Sequence, residues 1–481
     1  MEIKLIQERI PEYVNRTADI LIDNGYEAYL VGGAIRDIIL GRDPKDYDLA
    51  TNALPEQIAE IFPKTINTNA KFGTILVIMT DDKGENFDVE VTTYRKEEDY
   101  VKGRWPSKVE FTSDIEEDLS RRDFTINAMA LDMQDLYDQG ATISEVVFDP
   151  FTGLEDIDKK QIKAVGIAKE RFEEDGLRAY KACRLASELE FEIEHETFEA
   201  IKGSIAIAKQ ISIERVRDEL LKLLKYSPKP SIGVNLLKDT GLLQLFMPEL
   251  LDCVGVEQPE WHTEDVYTHS LKTLDLAEDS VKLAALLHDI GKPATISKDE
   301  KGTHFYGHDV KGAEIAMNIL KRLRFSNNVI NRNTTLIKYH MFYYPSADWR
   351  KEKDVTEISQ DEDNGGWTDA AIRRFIKNIG GDDIIDDLFK LRIADATANP
   401  KSEFNPVEIE ALEKRIAKVR AEDMALKVTD LDINGNDLIE LGLEGKRIGE
   451  VLNQLLEMVI DDPSLNDNDK LREIVSKLIN K

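Results

Sequence analysis

Residues 29–51 read YLVGGAIRDIILGRDPKDYDLAT. An apolar run closing on Gly32 and Gly33 and continuing as AIRDIILG predicts a strand, a tight turn and a helix. A Gly-Gly turn ahead of a helix lets backbone N–H groups approach a phosphate closely, with the positive helix end behind them. Arg36, one turn into that helix, supplies a guanidinium suited to charge-assisted phosphate contacts. Asp46 and Asp48 follow at i and i+2. Read as a strand, DYDLA puts both carboxylates on one face. Magnesium favours a few carboxylates plus substrate phosphates, and two such ions can activate an attacking hydroxyl and neutralise a leaving pyrophosphate. A lone DxD is as readily a solvated turn, so the reading depends on what surrounds it.

Outward from this stretch, KFGTILVIM (71–79) and NFDVEVTTY (86–94) read as two further strands separated by the turn-rich TDDKGE. Asp88 and Glu90 alternate onto one face, and Glu90, flanked by Val89 and Val91, is the better third carboxylate. Beyond residue 155 the period becomes helical: ERFEEDGLRAYKACRLASEL (170–189) and ISIERVRDELLKLLK (211–225) both carry apolar residues at helical spacing, and SPKPS (227–231) is a break. The expected fold class is α+β. It comprises a head with a small mixed sheet (1–150), a helical neck and body (151–255), an all-α domain (256–400) and a charged helical tail (401–481), with DINGNDL as a turn within the tail.

With 481 residues, 42% of them hydrophobic, the chain can build several cores. Two cysteines and no CxxC exclude a disulfide framework and a thiolate zinc site. The first residues carry no signal-peptide apolar region and no run approaches membrane-spanning length, so a cytoplasmic protein without a membrane partner is expected. A net charge of −30 argues against a surface that coats nucleic acid broadly. Residues 202–238 are the local exception, with eight Lys/Arg against three acids. An ordinary solvated helix face explains that segment as well as RNA contact does.

Five ordered stretches, GGAIRDIILGRDPKDYDLAT, EVTTYR, RRDFTINAMA, DPFTGLEDI and EDGLRAYKACR, together resemble the class II CCA-adding tRNA nucleotidyltransferases. That family lies within the polymerase-beta-like superfamily and is related to bacterial poly(A) polymerases. The resemblance spans residues 1–225. It implies that Asp46 and Asp48 hold catalytic magnesium, with Glu90 completing the set, and that Gly32, Gly33 and Arg36 meet the triphosphate. Arg121, Arg122 and Asp123, with Asn127 in the same helix, are implied to bind nucleotide sugar and phosphates. Asp149 to Gly153 corresponds to the family's hinge. Asp175 and Arg178 correspond to its protein template, with Arg184 as a nearby cation. At i and i+3 the template pair shares a helix face, and its donors and acceptors can mimic a Watson–Crick edge. Cytosine and adenine both offer an amino donor beside an acceptor, whereas uracil and guanine offer the reverse. Gly176 stands where the family commonly has Pro, and Lys181 where it has Arg, whose bidentate contact Lys cannot reproduce. Arg215 and Arg217 are assigned to bracing the neck or meeting tRNA. DYVKGRWPSKVEF (99–111), with Arg104, resembles the flexible loop that full CCA-adders use to switch from CTP to ATP.

A second set lies in residues 260–400, which hold six of the seven histidines. His269, His288 and Asp289 in LLHDIGK, His308 in GHD, His340, and Asp395 in ADATA offer nitrogen and oxygen ligands for a divalent transition metal or magnesium. The set resembles the HD phosphohydrolase superfamily: His269, His288, Asp289 and Asp395 match the core ligands, and His308 and His340 the extra histidines of two-metal members. His262 and His304 receive no role.

The expected activity is therefore addition of CCA to tRNA 3′ ends from CTP and ATP with release of pyrophosphate, with HD-type hydrolysis as a second activity of the same chain. A poly(A) polymerase is the nearest alternative, although NAKFGTILVIM lacks the basic strand usual in that branch. A CC- or A-adding enzyme, an HD phosphohydrolase with an RNA-docking head, and a non-catalytic tRNA-binding module are the others.

Overall fold

The computed structural model describes residues 3–81, 83–101, 105–137, 142–259, 264–300, 302–342, 367–399, 401, 406–421 and 426–479. The chain forms two compact units, Met1–Leu251 and Asp252–Lys481.

The first unit is organised by a seven-stranded mixed sheet. Its strands are β1 (Tyr29–Val31), β2 (Asp48–Thr51), β3 (Thr65–Ile66), β4 (Thr74–Thr80), β5 (Asn86–Thr93), β8 (Ala130–Asp132) and β9 (Val147–Phe148), in the order β3-β4-β5-β2-β1-β8-β9. β6 (Arg95–Val101) and β7 (Trp105–Phe111) pair separately as a hairpin. Neighbours in the main sheet are antiparallel except β2 and β5. That parallel step places the residues after the first turn and those of the EVTTY stretch in one register, with Asp48 opposite Glu90. Val89 and Val91 are fully buried on the other face of β5, so alternation drives Glu90 outward to the open face.

Two local expectations change. β2 starts only at Asp48, because its partner β1 ends at Val31, opposite Asp48, where Gly32 turns the chain. Asp46 therefore lies in the preceding loop, exposed, and does not share a strand face with Asp48. The stretch 170–189 is likewise not one helix. Ala168–Glu174 and Leu177–Leu189 are separate, with Asp175 extended at φ −139° between them. A Cβ on Gly176 would stand 2.9 Å from the backbone of Ile207 and Ala208, so this close crossing needs glycine. Helix Ile213–Tyr226 ends before Ser227 and Pro230 opens the next helix, as SPKPS predicts.

The second unit is helical apart from a hairpin, Ser297–Asp299 with Gly302–His304. Helices Val266–Leu276, Lys282–Leu287, His308–Arg322, Asn327–Tyr339 and Asp382–Ala398 gather the histidine set. The tail helices Gly435–Glu440, Lys446–Asp461 and Asn468–Ile479 enclose an apolar core that includes Leu438, Leu455, Leu471 and Val475. Arg373 on Asp369–Ile379 donates to the Ile460 carbonyl at 3.0 Å and ties this core to the rest of the unit. Among the described residues, no helix is long and apolar enough to cross a membrane.

Candidate active site and a second metal centre

Gly32 has φ +80° and a Cβ there would stand 3.3 Å from Arg122 Nη1 and 3.7 Å from Asp48 Oδ2. The turn, the arginine and the carboxylate thus meet at one point. Burial pushes the Asp48 carboxyl up to about 6, with Glu90 and Asp46 adding repulsion and Arg122 opposing them. Three carboxylates set against one guanidinium make a pocket short of positive charge, which suits a divalent cation. They are not drawn tightly together: among the described residues, ligand atoms gathered within 4.8 Å of one another occur only in the second unit.

Arg36 is buried beneath the turn. Its Nε and Nη2 donate to Asp37 at 2.9 and 2.8 Å, and its Nη1 to Asn127 Oδ1 at 2.7 Å. Asn127 in turn donates to Asp123 at 3.2 Å, and Lys181 lies 3.4 Å from the other Asp123 oxygen. Burial alone would raise the Asp123 pKa, yet Lys181 and Arg178 outweigh it and hold the carboxyl below its usual range. Asn127 belongs to a separate 3₁₀ turn, Thr125–Asn127, not to the helix Ile115–Ser120 that precedes Arg121, because the chain bends through Arg121–Phe124. Arg121 grips buried Asp118 through Nε and Nη2 at 3.1 and 2.7 Å. Arg122 donates from Nη2 to Asp118 Oδ2 at 3.4 Å, keeps a buried Nε without a hydrogen bond, and turns Nη1 toward Gly32 and Asp48. Among the RRD residues Arg122 is therefore the one facing the carboxylates; the sequence placed it in the motif, but only the fold gives it this position.

Asp175 and Arg178, the residues expected to form a template, are held from several sides. Asp175 accepts from Leu177 N at 2.9 Å as a cap, and from Arg215 Nη2 at 2.9 Å. Arg178 donates to Glu174 Oε2 at 2.5 Å and to the Arg121 carbonyl at 2.8 Å. Asp175 thus sits at the helix break and Arg178 inside the next helix, so the two do not share one continuous helical face. Arg184 bonds Glu219 and Glu188, both at 2.7 Å, and Arg217 bonds Asp218 at 2.7 Å. Residues 149–153 form a hydrogen-bonded turn, with Asp149 accepting from Gly153 N at 2.7 Å and Leu154 N at 2.9 Å. Arg104 lies outside the described residues.

In the second unit one carboxylate joins two clusters. Asp289 Oδ2 lies 3.3 Å from His288 Nε2 and 3.8 Å from His269 Nε2; its Oδ1 lies 3.5 Å from His308 Nε2 and 3.7 Å from His340 Nε2. Asp395 Oδ1 adds to the first cluster, 2.9 Å from His269 Nε2. The Nδ1 atoms of His288, His308 and His340 face the carbonyls of Ala285, Phe305 and Ile337 at 2.8, 2.7 and 2.6 Å. Their buried Nε2 atoms have no hydrogen-bond partner. Rings fixed at Nδ1 by backbone carbonyls, with Nε2 aimed at a shared carboxylate, have the donor set of a divalent metal site. Burial opposes charge on His288, but Asp289 and Asp395 raise its pKa to about 10, so proton and cation compete for the same atom. The centre opens on a cavity of about 670 Å³ also lined by Lys292, Phe305, Tyr306 and Arg392. His304 lines it too, bonded to Asp299 at 2.8 Å, whereas His262 lies outside the described residues.

Known proteins resemble the chain in the same segments. Residues 28–163 match the poly A polymerase head domain, 190–253 the "probable RNA and SrmB-binding site of polymerase A", and 265–399 the HD domain. The CCA-adding enzyme of Staphylococcus aureus strain MRSA252 is 38% identical over 321 residues, covering 62% of this chain and 75% of that one. The chain belongs to the CCA-adding enzyme family. It is a nucleotidyltransferase whose two domain types generally use divalent metals. The CCA-adding enzyme of Lactococcus lactis subsp. lactis strain IL1403 is 41% identical over 248 residues, 51% of this chain and 59% of that one. The Bacillus stearothermophilus CCA-adding enzyme, solved in complex with CTP, aligns over 98% of this chain and 97% of that one, with 25% identity and a TM-score of 0.66. The α+β fold and the nucleotidyltransferase reading are thereby borne out.

Proposed function

We propose that this nucleotidyltransferase adds CCA to tRNA 3′ ends from CTP and ATP, with magnesium held by Asp46, Asp48 and Glu90. The observation that carries this reading is the register of β2 on β5, which sets Asp48 opposite Glu90 beside Gly32 and Arg122. Magnesium bound there would activate the tRNA 3′-hydroxyl and offset charge on the departing pyrophosphate. The Gly32–Gly33 turn gives the triphosphate room to approach, and Arg122 supplies positive charge next to the carboxylates. Arg36, with Asn127 and Asp123, holds the turn from beneath. Arg178 and Asp175 read the incoming base by exchanging their present partners for its Watson–Crick edge. Arg215 holds Asp175 in place, Arg217 and the basic neck face tRNA, and Arg184 braces the helix. Two buried cysteines that form no disulfide suit a reducing cytoplasm.

The test uses tRNAs ending before CCA, before CA and before A, each with labelled CTP and ATP. Ordered incorporation into all three is expected. No incorporation into any of them would refute the proposal, and untemplated runs of A on unrelated RNA would replace it with poly(A) synthesis.

We further propose that the second unit hydrolyses a phosphoester. The three inward-facing Nε2 atoms without partners support it. A metal held by His269, His288, Asp289 and Asp395, and another by Asp289, His308 and His340, would supply a water of lowered pKa. Lys292, 2.6 Å from Asp289 Oδ2, and Arg392, 2.9 Å from Asp395 Oδ2, bring positive charge to the cavity wall where a phosphoester would lie.

A further inference from the structure

The loop between helix Gly33–Ile39 and β2 carries Asp46 but has no strand pairing of its own. Side chains hold it instead. From one side Arg9 donates to the Arg42 carbonyl at 3.1 Å and to Asp43 at 2.9 Å, and Tyr47 donates to the Arg9 carbonyl at 2.8 Å. From the other side the polar contacts of the loop converge on Glu188. Arg42 Nη1 donates to the Glu188 carbonyl at 2.9 Å, and Lys45, immediately before Asp46, forms an ion pair with the Glu188 carboxylate. Lys45 Nζ also stands 3.3 Å over the Tyr226 ring.

Glu188 is only 6% exposed, and its second oxygen accepts from Arg184 at 2.7 Å. It lies near the end of helix Leu177–Leu189, whose start carries Arg178. Along that helix Arg178, Lys181, Arg184 and Glu188 recur every three or four residues and form one stripe about 15 Å long. The first contacts the Arg121 carbonyl, the second Asp123, the third Glu188 and Glu219, and the fourth the aspartate loop. A rigid helix thus joins the residue proposed to read the base to the loop proposed to hold a metal.

We infer that Glu188 is a positioning residue. Through Lys45 and Arg42 it fixes where Asp46 stands relative to Asp48 and Glu90, and it makes that placement follow the template helix. A surface ion pair would contribute little. This pair differs in that its carboxylate is buried and its lysine adjoins Asp46. The inference rests on the reading of Asp46 as a metal ligand.

The test compares wild type with Lys45→Met, Lys45→Arg and Glu188→Gln in the full chain. Hydrogen exchange of residues 41–48, measured without metal or nucleotide, should speed up about tenfold in Lys45→Met and return toward wild type in Lys45→Arg. With tRNA and CTP, Lys45→Met should lower kcat about tenfold while KM for CTP stays within about twofold, because misplacing a ligand slows chemistry without removing nucleotide contacts. Higher magnesium should recover part of that loss, and Glu188→Gln should fall between wild type and Lys45→Met. A rise in KM for CTP at unchanged kcat would overturn the inference and make Lys45 a nucleotide contact. Unchanged exchange of 41–48 with a lowered melting temperature would reduce the contact to a brace of the neck. The exchange arm needs no turnover, so an inactive wild type would refute the proposed function and leave the clamp still testable.

Discussion

Replacing Asp48 with Asn should destroy nucleotide transfer and, without metal, make the first unit more stable. The Asp48 carboxyl is raised from its ordinary 3.8 to about 6, by burial first and then by Glu90 and Asp46. Below pH 3.8 the group is protonated in both folded and unfolded chains and contributes no penalty. Between 3.8 and about 6 the unfolded chain ionises first, so the folded state loses stability as pH rises. Above about 6 the full penalty remains, a little over two pH units at about 1.4 kcal/mol each, or about 3 kcal/mol. A neutral amide of the same shape removes it. For a unit of this size about 3 kcal/mol corresponds to a rise in melting temperature of about 6–12 °C. The assay is thermal melting in chelator at pH 8 and pH 4.5, wild type against Asp48→Asn, followed by titration with magnesium. The variant should melt higher at pH 8, the gap should narrow at pH 4.5, and magnesium should raise the wild type alone. An Asn variant that melts at or below wild type at pH 8, or a gap that ignores pH, would refute the electrostatic account.

Three further outcomes follow from the geometry. Gly32→Ala places a Cβ at φ +80°, 3.3 Å from Arg122 Nη1, so activity should fall sharply in the labelled-CTP assay, with about 1–2 kcal/mol of destabilisation by urea melt. Gly176→Ala brings a Cβ within 2.9 Å of the Ala208 backbone and should destabilise the first unit by about 1–3 kcal/mol, with weaker discrimination between CTP and UTP. His340→Ala removes a proposed ligand from the cluster around Asp289 Oδ1; elemental analysis should find less metal per chain, while CCA addition by the first unit stays at the wild-type rate.

The candidate residues of both clusters were legible along the chain because residue type and order mark them. Gly-Gly before a helix, DxD after it, RRD, and HD with later histidines are local patterns. The apolar flanks Val89 and Val91 made Glu90 the preferred third carboxylate, and the fold sets it opposite Asp48. Periodicity also separated a mixed-sheet head from helical regions, and SPKPS marked a real helix end. What the chain could not reveal by itself depends on contacts distant in sequence. Asp46 leaves the strand because β1 stops at Val31, which spacing within DYDLA does not encode. The helix breaks at Asp175, where residue 176 crosses close to the backbone of residues 207 and 208. Arg122 is shared between Asp118 and the site beside Asp48, while Arg36 and Arg184 are taken up by Asp37, Asn127, Glu188 and Glu219. Nothing in an arginine's sequence position says which carboxylate will neutralise it. Asp289 looked like one ligand among six and became the carboxylate shared by two clusters, because four helices converge on its two oxygens. Residue chemistry and local period are properties of the chain; partner choice is decided only when burial forces each charge to find its counter-charge in three dimensions.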